Sequence, residues 1–388
     1  MSLGIYIQVP FCQTKCTYCN FHTGVVSSAR FAPYAAAVQT EIREHEKRLA
    51  QAGILLLKDF SQLTVNTVYF GGGTPSLLDP AHLDSILVAI GDTFCCSLSE
   101  VTLEADPETV DRPKADAWAV AGINRISLGV QSFSDAELKA AGRMHRPEDV
   151  YRAVPILRGA GIENISFDLI AGLPHQTPQS WRNSLDELIS LSPEHVSIYL
   201  LEVDEGSRLG SELLRGGSKY SASAVPSDDL MAESYDLARS RLAVAGYQHY
   251  EISNFAKPGL ASAHNRKYWR REPYLGFGAG AHSFSGTQRW ANAHDAAAYV
   301  QSIRTGQLLP EQLENISTTQ ALDEELFLGL RQLEGIDLAR LETAYSARLE
   351  SRFAPLETAG LVERSGSVVR LAPAHLSISN EAFVALMH

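Results

Sequence analysis

Six short runs rich in branched and aromatic residues recur through roughly the first two hundred positions, and helical patterns separate each from the next. They are Gly4–Val9, Thr67–Phe70, Val101–Glu104, Arg125–Val130, Ile165–Ile170 and His195–Leu200. Strands alternating with helices do not fold back as hairpins; each helical crossover returns the chain in the same direction, so neighbouring strands run parallel. One connecting pattern, Arg30–Ala52, puts Phe31, Tyr34, Ala35, Val38 and Ile42 on one face and stops at Gly53. The expected fold is α/β, a partial parallel (β/α) barrel of about six strands.

Such a barrel collects the C-terminal ends of its strands on one face, where sites are built. The unusual residues of this chain fall there. Gly71-Gly72-Gly73-Thr74-Pro75 follows Phe70, Glu104 closes its strand, Gln131 follows Val130, Asp168 lies near the end of the fifth run and Tyr199 ends the sixth. Each alone has a plain explanation: the triple glycine matches neither a phosphate loop nor a dinucleotide fingerprint, and a polar residue at a strand end is often simply hydrogen-bonded. Their shared position singles them out.

The first run leads into Phe11-Cys12-Gln13-Thr14-Lys15-Cys16-Thr17-Tyr18-Cys19, which opens onto the same face. A tetrahedral zinc site or an ordinary four-iron cluster takes four protein ligands. Three thiolates at Cys-x3-Cys-x2-Cys spacing suit a [4Fe-4S] cluster with one iron left open. A disulfide reading fails, because three clustered thiols cannot all pair and no signal peptide precedes them. Cys95 and Cys96, adjacent in an apolar stretch, read as small buried hydrophobes.

With 388 residues, 45% of them hydrophobic, the chain can bury one large core and a smaller one. No apolar run reaches the length of a membrane span, and Met1–Pro10 reads as a strand rather than a targeting segment, so a reducing cytoplasm is the expected home. A formal charge of -12 argues against broad attraction to nucleic acid or anionic lipid.

Three units are expected: a core over 1–230, an extension over 231–315 and a small, mainly helical domain over 316–388. Asp204–Pro226 reads as a loop, after which Ser227 caps a helix carrying Met231, Tyr235, Ala238, Leu242 and Ala245. Ala263-His264-Asn265-Arg266-Lys267-Tyr268-Trp269 and the glycine-rich Gly276–His282 follow. The last unit reads as helices at Asp323–Leu333, Asp337–Tyr345, Leu349–Thr358 and Glu381–Met387 with a hairpin over Leu361–Leu371, turning near Gly366. This resembles a winged helix, yet from Ile316 on there are ten acidic and six basic side chains, which favours a lid or partner surface over DNA binding.

The cysteine loop after a first strand, with Tyr18 before its last cysteine, resembles the radical S-adenosylmethionine (SAM) superfamily. Ile5-Tyr6-Ile7-Gln8-Val9-Pro10-Phe11-Cys12, Gly71-Gly72-Gly73-Thr74-Pro75-Ser76, Gly129-Val130-Gln131-Ser132-Phe133 and Asp168-Leu169-Ile170-Ala171-Gly172-Leu173-Pro174 are similar to the oxygen-independent coproporphyrinogen III oxidase family, over nearly the whole chain. That resemblance implies a [4Fe-4S] cluster on Cys12, Cys16 and Cys19, with the methionine amine and carboxylate of SAM on the open iron. It implies ligand contacts from Tyr6, Gly72, Gly73, Thr74, Glu104, Gln131, Arg143 and Asp168. It also implies an electron donor, since one electron from the reduced cluster breaks the sulfonium C–S bond to give methionine and an adenosyl radical. The residue types suit those roles: glycines admit close backbone approach, acids and amides take amine and hydroxyl groups, and Arg143 neutralises a carboxylate.

Within that family the oxidase carries a further cysteine two residues after the third, where this chain has Phe21, and a substantial N-terminal arm, whereas the cluster loop here begins twelve residues in. The stretch from His264 to Trp269 matches instead the His-Asn-x-x-Tyr-Trp motif of the HemW-like haem chaperone branch. The match implies haem as cargo and a haem-acceptor protein as partner. His264 becomes the candidate axial ligand, Tyr268 and Trp269 a flat apolar surface, and Arg266 and Lys267 either partners for propionates or equally a solvated pair of charges, with His282 the rival ligand. The alternative is that His264 and Asn265 cap a turn while Tyr268 and Trp269 pack into the core. Two other functions stand behind the chaperone: the oxidase itself, abstracting hydrogen from propionate side chains, and a purely structural iron-sulfur protein.

Overall fold

The computed structural model describes residues 2–54, 63–307 and 310–386. All six expected runs are strands: β1 Ser2–Val9, β2 Thr64–Gly72, β3 Cys96–Ala105, β4 Arg125–Gln131, β5 Asn164–Ala171 and β6 His195–Leu200. Further along come β7 Gln248–Glu251, β8 Asn254–Ala256, β9 Tyr274–Phe277, β10 His282–Phe284, β11 Gln288–Ala291 and β12 Gln312–Asn315. Together they make one sheet in the order β12-β11-β10-β9-β1-β2-β3-β4-β5-β6-β8-β7. Neighbours from β1 to β6 pair in parallel. The two end strands have one neighbour each, so the barrel is partial.

A seventh parallel strand was not expected. β9 pairs with β1, Tyr6 opposite Gly276. Its glycine hides it from a pattern search, yet Gly276 is what lets the returning chain pack there, because a Cβ at that position would collide with the His282 carbonyl.

Alternation along the strands sorts side chains by chemistry. Leu3, Ile5, Ile7 and Val9 of β1 are fully buried in the apolar core, and Gly4, Tyr6 and Gln8 occupy the opposite face. The matching face of the next strands carries Thr67 and Tyr69, Glu100 and Glu104, Arg125 and Ser127, Asp168, and His195 and Ser197. The lumen is therefore polar, and every group in it needs a partner.

Several local expectations change. Arg30–Ala52 is two helices, Phe31–Arg43 and His45–Gln51, interrupted at Glu44, where the His45 ring nitrogen Nδ1 stands 2.8 Å from the Ile42 carbonyl. Asp204–Pro226 contains a helix, Arg208–Leu214, whose N-cap Ser207 accepts from the Gly210 amide, and a short 3-10 segment, Lys219–Ala224. The helix Asp228–Val244 buries Met231, Tyr235, Ala238 and Leu242 as expected, but Ala245 lies exposed beyond its end. Cys95 and Cys96 are exposed rather than buried, at the start of β3, whose first four residues are all exposed.

The C-terminal region carries helices Thr318–Leu330, Leu338–Tyr345, Glu350–Thr358 and Ser379–Leu386 around a three-stranded sheet, in which Val368–Leu371 pairs with both Val362–Ser365 and Ile336–Asp337. The first helix begins at Thr318 rather than Asp323 because Ser317 and Gln320 form a capping box. Met1 and Met387, ends of two expected elements, lie outside the described residues. Backbone bonds tie this region to the barrel extension: Ile252 donates to Arg331 (3.0 Å) and Leu333 to Tyr250 (3.1 Å). Among the described residues no helix is long and apolar enough to cross a membrane.

Candidate functional site

A cavity of about 450 Å³ opens at the C-terminal ends of β2 to β6, roofed by the cysteine loop. Its walls include Cys12, Cys16 and Cys19 and seven of the eight expected ligand contacts: Gly72, Gly73, Thr74, Glu104, Gln131, Arg143 and Asp168. Tyr6 is the exception. It lies deeper in the lumen, donates from its hydroxyl to Gln8 Oε1 at 2.8 Å and stacks on Tyr69.

The cysteine loop is held on three sides. The Thr17 amide donates to Ala141 O (2.9 Å) and the Thr14 hydroxyl to Gly142 O (3.3 Å). From the segment after β6, Leu209 N donates to Thr17 O (2.8 Å), Asn20 Nδ2 to Asp204 (2.8 Å) and Arg208 to Lys15 O. From below, Gly73 N donates to Val9 O and Thr74 N to Phe11 O, at 2.8 and 2.7 Å. Gly73 cannot be otherwise: a Cβ there would meet the Phe11 carbonyl and come within 2.9 Å of Cys12 Sγ.

All three cysteines are free thiols, and burial pushes Cys12 and Cys19 above the usual thiol range, so an incoming metal must displace their protons. Among the described residues no three such groups converge on one point as ligands of a single ion would. Arg143 Nη1 is 3.5 Å from Cys16 Sγ, while its other nitrogen donates to Gly129 O and pairs with Asp106.

Glu104 accepts from the Tyr69 hydroxyl and the Gly72 amide, both at 2.9 Å. Burial, with Asp168 and Asp106 adding repulsion, pushes it up to about 7. Asp168 accepts from Ser127 (3.0 Å) and is raised by its burial. Gln131 turns the end of β4 with φ +64°, where the register with β5 slips, a conformation unusual for a non-glycine residue. Asp106 was missed: it joins Arg143 to Thr74, whose hydroxyl it accepts at 3.1 Å. It lies two residues past Glu104, so the strand-end rule that found Glu104 would have found it too.

The residues Ala263–Trp269 form a two-turn helix at the other end of the lumen. Ser262 caps it, and Glu100 of β3 accepts from the amides of Ala263 (2.8 Å) and His264 (2.9 Å). His264 is 1% exposed. Its Nδ1 is 2.9 Å from the Thr67 hydroxyl and its Nε2 2.9 Å from the Tyr268 hydroxyl. Burial, with Lys267 and Arg125 nearby, drives its pKa down to about 3, so the ring is neutral. Axial ligation by His264 would therefore require one of these two hydroxyls to give up its place at the ring. Around it Lys267 is bound to Ser2 and Glu272, Arg266 pairs with Glu334, and Tyr268 packs edge-on against His264 and Tyr274. Trp269 lies under the Arg331 guanidinium, 4.5 Å from its carbon. His282 is exposed at the start of β10.

A parallel α/β core with a ligand-sized cavity beneath a three-cysteine loop defines a radical SAM protein, and a family model described as the Radical SAM superfamily matches residues 6–188. A second, the HemN C-terminal domain, matches residues 316–374. The chain is 34% identical to the "Heme chaperone HemW" of Bacillus subtilis over 98% of both chains. It is 34% identical to the protein of that name from Synechocystis, covering 93% of this chain and 85% of the relative. To the mouse "Radical S-adenosyl methionine domain-containing protein 1, mitochondrial" it is 33% identical, covering 86% and 74%. The chain belongs to this HemW family of radical SAM proteins, a membership that implies a [4Fe-4S] cluster and SAM. The solved structure of coproporphyrinogen III oxidase (HemN) from Escherichia coli superposes with a TM-score of 0.83 over 99% of this chain and 90% of that one, at 21% identity, which shows the shared fold.

Proposed function

We propose that the protein is a haem chaperone that binds haem and passes it to an acceptor protein in the cytoplasm, built on a cluster held by Cys12, Cys16 and Cys19 with SAM at the open iron. The observation that carries the cofactor reading is that one cavity unites all three cysteines with seven of the eight expected contacts. Bound there, cluster and SAM supply one-electron cleavage of a sulfonium, with an electron donor as second partner. The chain's own residues do the rest. Gly72 and Gly73 admit the ligand backbone-close, Glu104 and Asp168 accept from its amine or hydroxyls, and Arg143, beside Cys16, offsets negative charge.

Phe21 favours the chaperone over the oxidase, because it stands where the oxidase has its further cysteine and it is exposed at the cavity mouth. Anaerobic reconstitution followed by parallel assays tests the reading. Haem uptake, seen as a Soret band, without decarboxylation of coproporphyrinogen III is the expected result; efficient decarboxylation would assign the oxidase function instead.

A further inference from the structure

Three acidic residues follow one another at alternate positions at the end of β3 and just beyond it, Glu104, Asp106 and Glu108, and all three line the cavity. Glu104 takes the Tyr69 hydroxyl and the Gly72 amide. Asp106 gives one oxygen to the Thr74 hydroxyl (3.1 Å) and the other to Arg143. Glu108 has the His145 ring 3.9 Å away, and its Oε2 is buried with no hydrogen-bond partner among the described residues. Burial and the charge of Asp106 push Glu108 up to about 7, while burial and Arg143 bring His145 down to about 4, so that ring is neutral.

Arg143 follows the helix Asp135–Ala141 and the left-handed turn at Gly142, and its side chain is 9% exposed. A guanidinium has five N–H groups to place. The Nε–H faces His145 Nδ1 at 3.4 Å, and Nη2 is spent on Asp106 and on Gly129 O (2.9 Å). Nη1 has Cys16 Sγ, at 3.5 Å, as its one partner among the described residues. The arm of the fork with capacity to spare therefore lies beside the cysteine loop. Gly129 makes room for this arrangement: a Cβ there would come within 3.1 Å of both Arg143 Nη2 and Gln131 Nε2, and 3.3 Å of Asp106 Oδ1.

We propose that Asp106 is the positioning residue that aims Arg143 at the carboxylate of SAM. Its hold on Nη2 sets the plane of the fork, so that Nη1 faces the space beside Cys16. Its bond to Thr74 ties that aim to the glycine loop, on the Cys12 side of the site. This rests on the reading of Arg143 as the carboxylate's partner. A charge-assisted bond of that kind is directional, and it is strongest when the fork is fixed before the ligand arrives. Without Asp106, the carboxylate left for Arg143 is Glu108, which already feels its charge. A guanidinium that turns to Glu108 leaves the ligand's place.

The test is SAM titration of the reconstituted full-length protein, read from the magnetic resonance signal of the reduced cluster, with iron content and the melting of the metal-free chain as checks on folding. Asp106→Ala should keep its cluster and its SAM-free signal yet bind SAM roughly tenfold more weakly. Asp106→Asn, which keeps an acceptor for Thr74 and Arg143, should recover part of that loss, and it carries the comparison if Asp106→Ala does not fold. Arg143→Ala should weaken SAM binding at least as much, and adding Asp106→Ala to it should cost nothing further, since the one residue acts through the other. Full additivity in the double variant, unchanged SAM affinity in Asp106→Ala, or loss of the cluster in Asp106→Asn would each overturn the proposal and leave the reading of Arg143 standing. Unchanged SAM affinity in Arg143→Ala would overturn both.

Discussion

Glu100 and Glu104 stand on the same strand and the same face, four positions apart, and they mark two ends of one lumen that are built for opposite purposes. At the lower end Glu100 caps a helix: the Ser262 hydroxyl and the amides of Ala263 and His264 all point at its carboxylate. Around it Thr67, His264 and Tyr268 satisfy one another, as do Ser166, His195 and Tyr250. At the upper end Glu104 has only two donors, and its remaining surface faces the cavity. A closed network specifies a fold, whereas an open one is held ready for a ligand. The His-Asn-x-x-Tyr-Trp motif lies at the closed end, where Arg266 reaches Glu334 of the C-terminal domain.

The sharpest break between the two ends is expected at the cysteines. Cys16→Ala should abolish the four-iron spectrum outright, since three ligands on one loop leave no substitute, while the melting of the metal-free chain should scarcely move. Retention of a full cluster, measured by absorbance and iron content, would remove the upper end from the comparison. At the lower end the effect should fall on folding instead. Glu100→Ala leaves three donors without their acceptor and the buried Arg125 without a nearby negative charge, and should cost about 3–5 kcal/mol in denaturant unfolding, and His264→Ala about 2–4 kcal/mol. Either variant, kept cold, should still take up a cluster. Loss of haem with normal stability in His264→Ala would reverse the division drawn here.

Sequence reached the two ends unequally, for a physical reason. Strand runs, the cysteine spacing and the strand-end residues are local signals, so the upper end was legible almost residue by residue. The lower end depends on partners far apart in the chain: His264 meets Thr67 across 197 positions and Glu100 across 164. No spacing rule shows such pairings, so a buried helix and an exposed ligand motif read alike. β9 escaped for a related reason, because its glycine answers to the packing of His282 rather than to strand propensity.

A subtler effect at the upper end should appear with pH. Glu104 is raised to about 7 in the folded chain, above the ordinary carboxylate range near 4.3. The neutral form is therefore favoured by folding; its contribution is complete below the unfolded value and is lost as pH rises towards 7. A ligand amine prefers the ionised form, so affinity for SAM should climb between about pH 6 and 8. Glu104→Gln should flatten that profile, weaken binding and raise the melting temperature at pH 8. A profile that keeps its slope in Glu104→Gln would assign the titration to another group.

The smallest effect separates the upper loop from the remaining cysteines. Cys95 and Cys96 sit where β3 begins, exposed and outside the cavity walls. The only polar contact either side chain makes in the described residues is a weak one, Cys96 Sγ to Ile90 O at 3.9 Å. Serine in place of either should change stability by no more than about 0.5 kcal/mol, the range of an ordinary surface substitution, and leave iron content as it was. β3 begins at Cys96, directly after Cys95, and has Glu104 near its exit, ten residues covering the full depth of the barrel. Loss of iron in Cys95→Ser would therefore mean that the cluster is not at the C-terminal face, and the contrast between the two ends would fall with it.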